Sequence, residues 1–506
     1  MTFRNKIGSN TQLIFFFHNK DNSIYTANIC GDSYFCGMSR RNKKQRFQNI
    51  EVIDAGAKGK SVAKAPDGKV VFLSNAVPGD VVDIQTFKKR KGYYEGTAIA
   101  FHKLSNKRTQ PKCEHFGTCG GCKWQHMNYQ HQLYYKQKEV EQNLKRIGHL
   151  ELPEVSPIIG SPNEYFYRNK MEFSFSDARW LTLEEINSGE AIGDKNALGF
   201  HIPGMWDKIL DINKCWLQED PSNAIRNAVK QFAIATDMEF FNTRQQSGLL
   251  RTLMIRTTST GEVMVLIQFF KDDKSKRELL LNHLVQKFPE ITSLQYVINS
   301  KANDTIYDQE VVCYHGRDHI IEDMEGLKFK INAKSFYQTN SEQAYQLYKV
   351  TRNFADLTGN ELVYDLYTGT GTIAQFVAKK AQKVIGVESV PDAISAAQEN
   401  AQLNGIDNVE FYVGDMRKVF NDDFITEHGR PDVIITDPPR DGMHKDVVTQ
   451  LLTIAPDKIV YVSCNSATQA RDLALMKDMY KVEKVQPVDM FPQTHHVENV
   501  VLLVKV

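Results

Sequence analysis

Beyond residue 341, short apolar runs recur at 362–366, 383–387, 409–413, 433–436 and 459–462, with a helix expected over 342–357 and further helices between the runs. A strand that is apolar at nearly every position must be buried on both faces, which helices packed on either side of a parallel sheet provide. Residues 331–506 are therefore expected to form a Rossmann-like, doubly wound α/β domain with ligands at the carboxyl ends of its strands.

Those strand ends carry polar residues in a pattern. Asp365-Leu366-Tyr367-Thr368-Gly369-Thr370-Gly371 leaves the first strand and opens a helix, and glycines there let the backbone approach a ligand closely. Glu388 ends the second strand, where a carboxylate can accept from both hydroxyls of a ribose, and Asp415 follows the third, placed to meet an adenine edge. A nicotinamide dinucleotide or S-adenosylmethionine would satisfy these features equally. The fourth strand separates the two, because Asp437-Pro438-Pro439-Arg440 projects Asp437 from a turn stiffened by two prolines. A positive sulfonium benefits from such a carboxylate, whereas a dehydrogenase has no need of it, so S-adenosylmethionine is the expected cofactor. The fifth run ends in Ser463-Cys464-Asn465, and a thiol among polar neighbours at a strand terminus can act as a nucleophile if the local field lowers its pKa. Cys313, in an apolar run without such neighbours, is expected in the core.

A chain of 506 residues exceeds what one core supports, so further domains are expected. Runs at 51–53, 70–72, 81–84 and 97–100, divided by Gly and Pro, suggest a small OB-like β-barrel over 48–106. Between residues 38 and 112, 17 lysines and arginines stand against 6 acids although the whole chain carries only +1, so a polyanion would be met at this end. Lys88-Lys89-Arg90-Lys91 falls at a hairpin tip beside Tyr93 and Tyr94, whose rings would stack on bases while the cations hold phosphate. Residues 107–330, with a Gln/Lys/Glu-rich helix over 128–150, strands at 263–270 and 310–314 and a helix at 274–287, read as a central α+β domain. Residues 1–47 read as a disordered extension and basic tail, with Met38 the more natural start. No apolar run approaches the roughly 20 residues that span a bilayer. A cytoplasmic monomer without membrane contact is expected.

Eight cysteines in so long a chain with no secretory signal indicate metal ligation or catalysis rather than disulfides. Cys113, Cys119 and Cys122 lie on a loop containing Gly120-Gly121 and need a fourth soft ligand, for which Cys215 is the candidate; zinc remains an alternative to a cluster. Cys30 and Cys36 repeat the first spacing without a third member.

Taken together, Asp365 to Gly371, Asp437 to Arg440, Ser463-Cys464-Asn465 and Asp489-Met490-Phe491-Pro492 to His496-Val497-Glu498 resemble the RNA uracil-5-methyltransferase family, in particular its 23S ribosomal RNA branch, over about residues 48–506. Tyr167-Arg168-Asn169-Lys170 and Ser335-Phe336-Tyr337-Gln338-Thr339-Asn340 match that family too. The resemblance implies methyl transfer from S-adenosylmethionine to C5 of a uridine in 23S ribosomal RNA, with Cys464 adding at C6 and Glu498 removing the C5 proton. It implies cofactor contacts from Gln338, Tyr367, Glu388 and Asp437, with Asp415 a further one, and an iron-sulfur central domain holding a [4Fe-4S] cluster on Cys113, Cys119, Cys122 and Cys215. It makes the barrel an RNA-binding domain of the TRAM type, which relatives acting on transfer RNA generally lack, and this favours a ribosomal substrate; a non-catalytic iron-sulfur scaffold that binds RNA is the alternative of another class. Two departures stand out: Thr368 replaces a cysteine common among relatives, and His495 precedes His496 where a smaller or different residue is usual.

Overall fold

The computed structural model describes residues 16–18, 24–26, 44–189 and 193–506. Cys30, Cys36, Met38 and the basic residues 40–43 lie outside them. The chain divides into two compact units, one comprising Lys60–Asn106 with the residues up to Ala55 and Leu181–Gly193, the other Gly56–Gly59, Lys107–Trp180 and Asp194–Val506.

In the first unit, Arg46–Ala55, Ser61–Lys64, Val70–Ser74, Tyr93–Lys103 and Val81–Lys89 close, in that order, into a five-stranded barrel. Inward positions alternate along each strand, and Val52, Val71, Leu73, Val82 and Ile84 fill the interior. The basic run sits at the expected hairpin tip, where the Arg90 amide donates to the Tyr93 carbonyl at 2.8 Å. The two tyrosines beside it do not act as a pair. Adjacent residues of a strand face opposite sides, so Tyr94 is buried with its hydroxyl on Asp67 at 2.8 Å, while Tyr93 packs edge-on against Phe72. Only Tyr93 keeps a ring outside the core.

The second unit contains two seven-stranded sheets. The first runs, in spatial order, through Met205–Asp211, Ala197–Ile202, Lys170–Ser176, Leu250–Thr257, Val263–Phe269, Ile291–Ile298 and Val312–Gly316. Its single parallel pairing, Val263–Phe269 with Ile291–Ile298, is bridged by helix Lys274–Lys287. Cys313, expected in the core, is exposed, because its strand is the edge of this sheet.

The second sheet carries the strands expected from the apolar runs: β1 (Leu362–Leu366), β2 (Lys383–Glu388), β3 (Val409–Val413), β4 (Val433–Thr436) and β5 (Lys458–Ser463), all parallel. Two more strands, β6 (Tyr480–Val488) and β7 (Glu498–Lys505), extend it to the order 3-2-1-4-5-7-6, with β7 antiparallel to both neighbours. The sheet is thus mixed rather than wholly parallel. Because β7 runs against the others, its first residue stands at the edge where β1 to β5 end. Helix Ser341–Ala355 covers one face, burying Ala344 and Leu347 with Val363, Val460 and Val500. On the other face Val140 and Leu144, from helix Tyr129–Arg146, join Tyr364, Leu366 and Tyr461. A segment of the central region therefore completes the core beneath the strand ends. Among the described residues, no helix is long and apolar enough to cross a membrane.

Candidate active site

Leaving β1, the chain turns sharply. Tyr367 takes φ 63°, unfavourable for a bulky residue and characteristic of functional turns. Gly371, at φ 73°, caps the helix Thr372–Ala378, and a Cβ there would stand 2.7 Å from the Phe411 ring and 2.9 Å from Ala397, so only glycine lets this turn pack on β3. Asp365, 1% exposed, accepts from the Thr368 hydroxyl at 2.5 Å and the Ala374 amide at 3.1 Å through one oxygen; its other oxygen is buried without a partner. Thr368 thus has a task of its own in place of the cysteine. Glu388 accepts from the Gly369 amide at 3.2 Å and from the backbone of Ser389 and Val390, which orients a carboxylate that still has free lone pairs.

The two reacting groups expected from the sequence stand on neighbouring strands. Ser463, the last residue of β5, pairs with Asn499, the second of β7, so Cys464 and Glu498 flank that pair at one sheet edge. Asp437, following β4, is the next group along. Asn465 caps helix Ser466–Ala474 and donates through its side-chain amide to the Arg440 carbonyl at 2.9 Å, with the Thr468 hydroxyl on the same carbonyl at 3.1 Å. These bonds anchor the Pro438-Pro439-Arg440 turn over the thiol.

Burial, then the charges of Glu498 and Asp437, push the Cys464 thiol up to about 11; the Arg440 guanidinium, hydrogen-bonded to it, pulls the other way. Burial and Asp437 push Glu498 up to about 8, again against Arg440. Burial and Asp365 push Asp437 up to about 7, and burial pushes Asp365 to about 7 against its two hydrogen bonds. Three carboxyl groups and a thiol, all easier to protonate than in water, form a site short of positive charge. A cation entering it would be drawn in and would restore their ionised forms.

The structure separates the remaining expected residues. Gln338 lies on the loop before helix Ser341–Ala355, held by Asn169, whose side chain donates to the Gln338 carbonyl at 2.9 Å. Tyr348, from that helix, is buried and hydrogen-bonded to the Gln338 side chain, with Asp437, Asp365 and Glu498 as the charges nearest its phenol. Tyr367 is in place at the β1 turn. Asp415 is otherwise engaged: it caps helix Met416–Val419 through the Arg417 amide at 3.0 Å and forms a 2.5 Å ion pair with the Arg417 side chain. An adenine edge would have to compete with that arginine. His495 and His496 have rings 4.1 Å apart and are pushed by burial and nearby cations down to about 3 and about 4. The extra histidine is neutral and adds no charge beside Glu498. Arg440 and Tyr348 are the residues sequence reasoning passed over; Arg440 stood within the Asp-Pro-Pro-Arg motif, whereas Tyr348 looks like any core aromatic at helical spacing.

Away from the sheet edge, Cys113, Cys119, Cys122 and Cys215 line one cavity of about 420 Å³, with Arg168 and Trp216 in its wall. A Cβ at Gly120 would stand 2.2 Å from Pro203, which explains one glycine of the loop. Gln125, buried, accepts from the Cys113 amide at 3.1 Å. Burial pushes the Cys119 and Cys122 thiols up to about 11 and about 12, each raised further by the neighbouring cysteines. Among the described residues, no three His, Cys, Asp or Glu side chains are grouped as the ligands of a single ion.

Residues 239–506 match the family described as tRNA (Uracil-5-)-methyltransferase. An uncharacterized RNA methyltransferase of Bacteroides thetaiotaomicron is 58% identical over 450 residues, 88% of this chain and 99% of that protein. One of Porphyromonas gingivalis is 55% identical over 90% of this chain and 99% of its own length. Among solved structures, the tRNA (uracil-54, C5)-methyltransferase of Pyrococcus abyssi, in complex with S-adenosyl-L-homocysteine, superposes with a TM-score of 0.69 at 28% identity, covering 90% of this chain and all of that one.

Proposed function

The chain belongs to the RNA uracil-5-methyltransferase family and is an S-adenosylmethionine-dependent RNA methyltransferase, and from that premise we propose that it methylates C5 of a uridine in 23S ribosomal RNA through a covalent adduct on Cys464. The observation that carries this reading is the pairing of β5 with β7, which sets a thiol and a buried carboxyl side by side at the strand ends next to Asp437.

S-adenosylmethionine supplies the methyl group on a sulfonium. The β1 turn, the unpartnered Asp365 oxygen, Glu388 and Gln338 fit such a ligand: Glu388 would accept from the ribose hydroxyls, Tyr367 and Gln338 would line the cofactor, and Asp437 would face the positive centre. Uracil C5 is a weak nucleophile. The Cys464 thiolate, stabilised by Arg440, adds at C6 and leaves an enolate whose C5 bears the negative charge. After C5 has accepted the methyl group, Glu498 takes the C5 proton; the electrons of that C–H bond re-form the C5–C6 double bond, the C6–S bond breaks, and Cys464 leaves as thiolate. The uridine would be turned out of its stack to reach the thiol.

The four-cysteine cavity fits a [4Fe-4S] cluster better than a zinc ion. All four cysteines line its wall, and a cluster takes its thiolates on separate irons. We place the cluster there as a structural element, since uracil methylation moves no electron.

A transfer RNA uridine is the second reading, favoured by the Pyrococcus likeness, which spans too much of this chain to be confined to its central and catalytic segments. Possession of the barrel therefore does not separate the two substrates. Labelled S-adenosylmethionine with ribosomal and transfer RNA lacking 5-methyluridine, followed by mapping, decides: label on 23S RNA supports the first reading, label on transfer RNA alone the second, and label on cytosine or none at all overturns both.

A further inference from the structure

Glu498 is the first residue of β7 and pairs with Val488, the last of β6, so the irregular stretch 489–497 is the loop that closes this ladder, and what holds that loop sets how the carboxyl is presented. Asp489 is wholly buried and accepts from Lys136 Nζ at 2.6 Å, the Tyr129 hydroxyl at 2.9 Å and the Phe491 amide at 3.0 Å. Lys136, also wholly buried, gives a second bond to the Phe491 carbonyl at 3.1 Å. One helical turn earlier, Gln132 and Gln493 exchange two bonds: the Gln132 side-chain amide donates to Gln493 Oε1 at 2.9 Å, and the Gln493 amide donates back to Gln132 Oε1 at 2.9 Å. The Gln493 carbonyl receives the amides of Lys123 and Trp124, the residues next to Cys122. Gln493 itself is held at φ 66°.

A buried ion pair is a poor device for stability, because desolvation offsets most of its attraction, and its best-attested use is to fix one geometry. Here the pair joins helix Tyr129–Arg146 to the lead-in of the strand that presents a carboxyl to the substrate, and no substrate atom needs to touch it. We infer that Lys136 and Asp489, with Gln132 and Gln493, are positioning residues for Glu498, and that they govern removal of the C5 proton rather than methyl transfer. The inference rests on the covalent reading above. With Glu498 displaced, Cys464 still adds at C6 and C5 still accepts the methyl group, but the C5–H bond is not broken, so the C6–S bond persists.

The test uses the full-length chain. Lys136→Met combined with Asp489→Leu replaces the pair by apolar side chains of similar volume, and Gln132→Met loosens the same contact without altering a charge. Each variant is compared with wild type and with Glu498→Gln for S-adenosylmethionine affinity, single-turnover methyl transfer, and methylated protein–RNA adduct resistant to denaturation. The expected result is unchanged cofactor affinity, transfer within about threefold of wild type, and release slowed about 10- to 100-fold, a part of what a general base supplies, with adduct accumulating. If transfer and release fall together without adduct, or neither changes, the inference is overturned. If the double variant does not fold, Gln132→Met decides by the same readout. Should Glu498→Gln itself accumulate no methylated adduct, it is the covalent reading that fails; adduct in Glu498→Gln but in neither positioning variant defeats this inference alone.

Discussion

Cys464 and Glu498, the proposed nucleophile and base, stand at one sheet edge but are held there in opposite ways. Cys464 is fixed locally: Ser463 and Asn465 close a turn around it, and Asn465 and Thr468 reach only as far back as Arg440. Glu498 pairs with Val488, but the loop that leads into it is held from afar, by Lys136 and Gln132, more than three hundred positions earlier, and by Gln343 and Asn340, whose side chains donate to the Asp489 and Met490 carbonyls at 2.7 and 3.0 Å. The chemistry matches this division. A thiol that adds to a ring needs only a strand end and a neighbouring cation, whereas a base that acts late must be held against a substrate already attached.

The largest expected effect tests the local side. Cys464→Ala should reduce methyl transfer to background in the labelled assay and form no adduct, since without addition at C6 the C5 carbon stays unreactive; retained turnover would remove the nucleophile from the comparison. Glu498→Gln should lower turnover by about 10²- to 10⁴-fold, the range of general-base catalysis, while methylated adduct builds up on a denaturing gel. If it abolished the adduct instead, the carboxyl would belong to the first half of the reaction.

Arg440→Met sharpens the comparison by removing a cation that acts on both groups. Activity should rise with pH in the wild type, because Glu498 must ionise near 8 and the thiol near 11 before either can act. Without Arg440 both lose a charge that favours ionisation, so the rising limb should move to higher pH and the rate at pH 7.5 should fall about tenfold for each unit of displacement. A profile that did not move would separate Arg440 from the thiol.

Asp437→Asn addresses the acids between them. Asp437 and Glu498 have folded pKa values near 7 and 8, above their ordinary values of 3.8 and 4.5. Their contribution to stability is complete below about pH 4 and is lost as pH rises through 7 to 8. The ligand-free protein should therefore show a falling Tm between pH 5 and 8.5, S-adenosylmethionine should raise Tm more at pH 8 than at pH 6, and Asp437→Asn should flatten both trends. The smallest effect belongs to Asn465→Ala: loss of a helix cap costs about 1 kcal/mol, measured by denaturant unfolding, with a modest fall in rate as the Arg440 carbonyl loses a tether.

The same division decides how much could be read in advance. The strands β1 to β5 were legible because each is a short apolar run between helices, and the places of Asp365, Glu388, Asp437 and Cys464 were legible because they stand at or just beyond the ends of those runs. β6 was not, since the alternation of buried apolar and exposed charged residues along Tyr480–Val488 is broken by a register shift between Val482 and Lys484, and without it the antiparallel insertion of β7 has no signal. Asp415 looked free because its competitor, Arg417, acts only once the helix turn has formed. Tyr94 and Cys313 show the limit from the other side: a tyrosine beside lysines and a cysteine among valines have fates set by strand phase and sheet edge, which neighbours in sequence do not determine. Lys136 is the strongest case. In a helix rich in Gln, Lys and Glu it is indistinguishable from a solvated lysine, because the carboxylate that buries it lies 353 residues away.

That distance also sets an order of assembly. As the chain leaves the ribosome, helix Tyr129–Arg146 and the cysteine loop are complete long before Asp489 and Gln493 exist, so Lys136 must wait in water for the partner that will enclose it. Contacts of such separation are the slow ones in folding. A nascent chain that has not reached residue 498 is thus without the proposed base, and under the covalent reading the means to let uridine go arrives only when the last strand has docked.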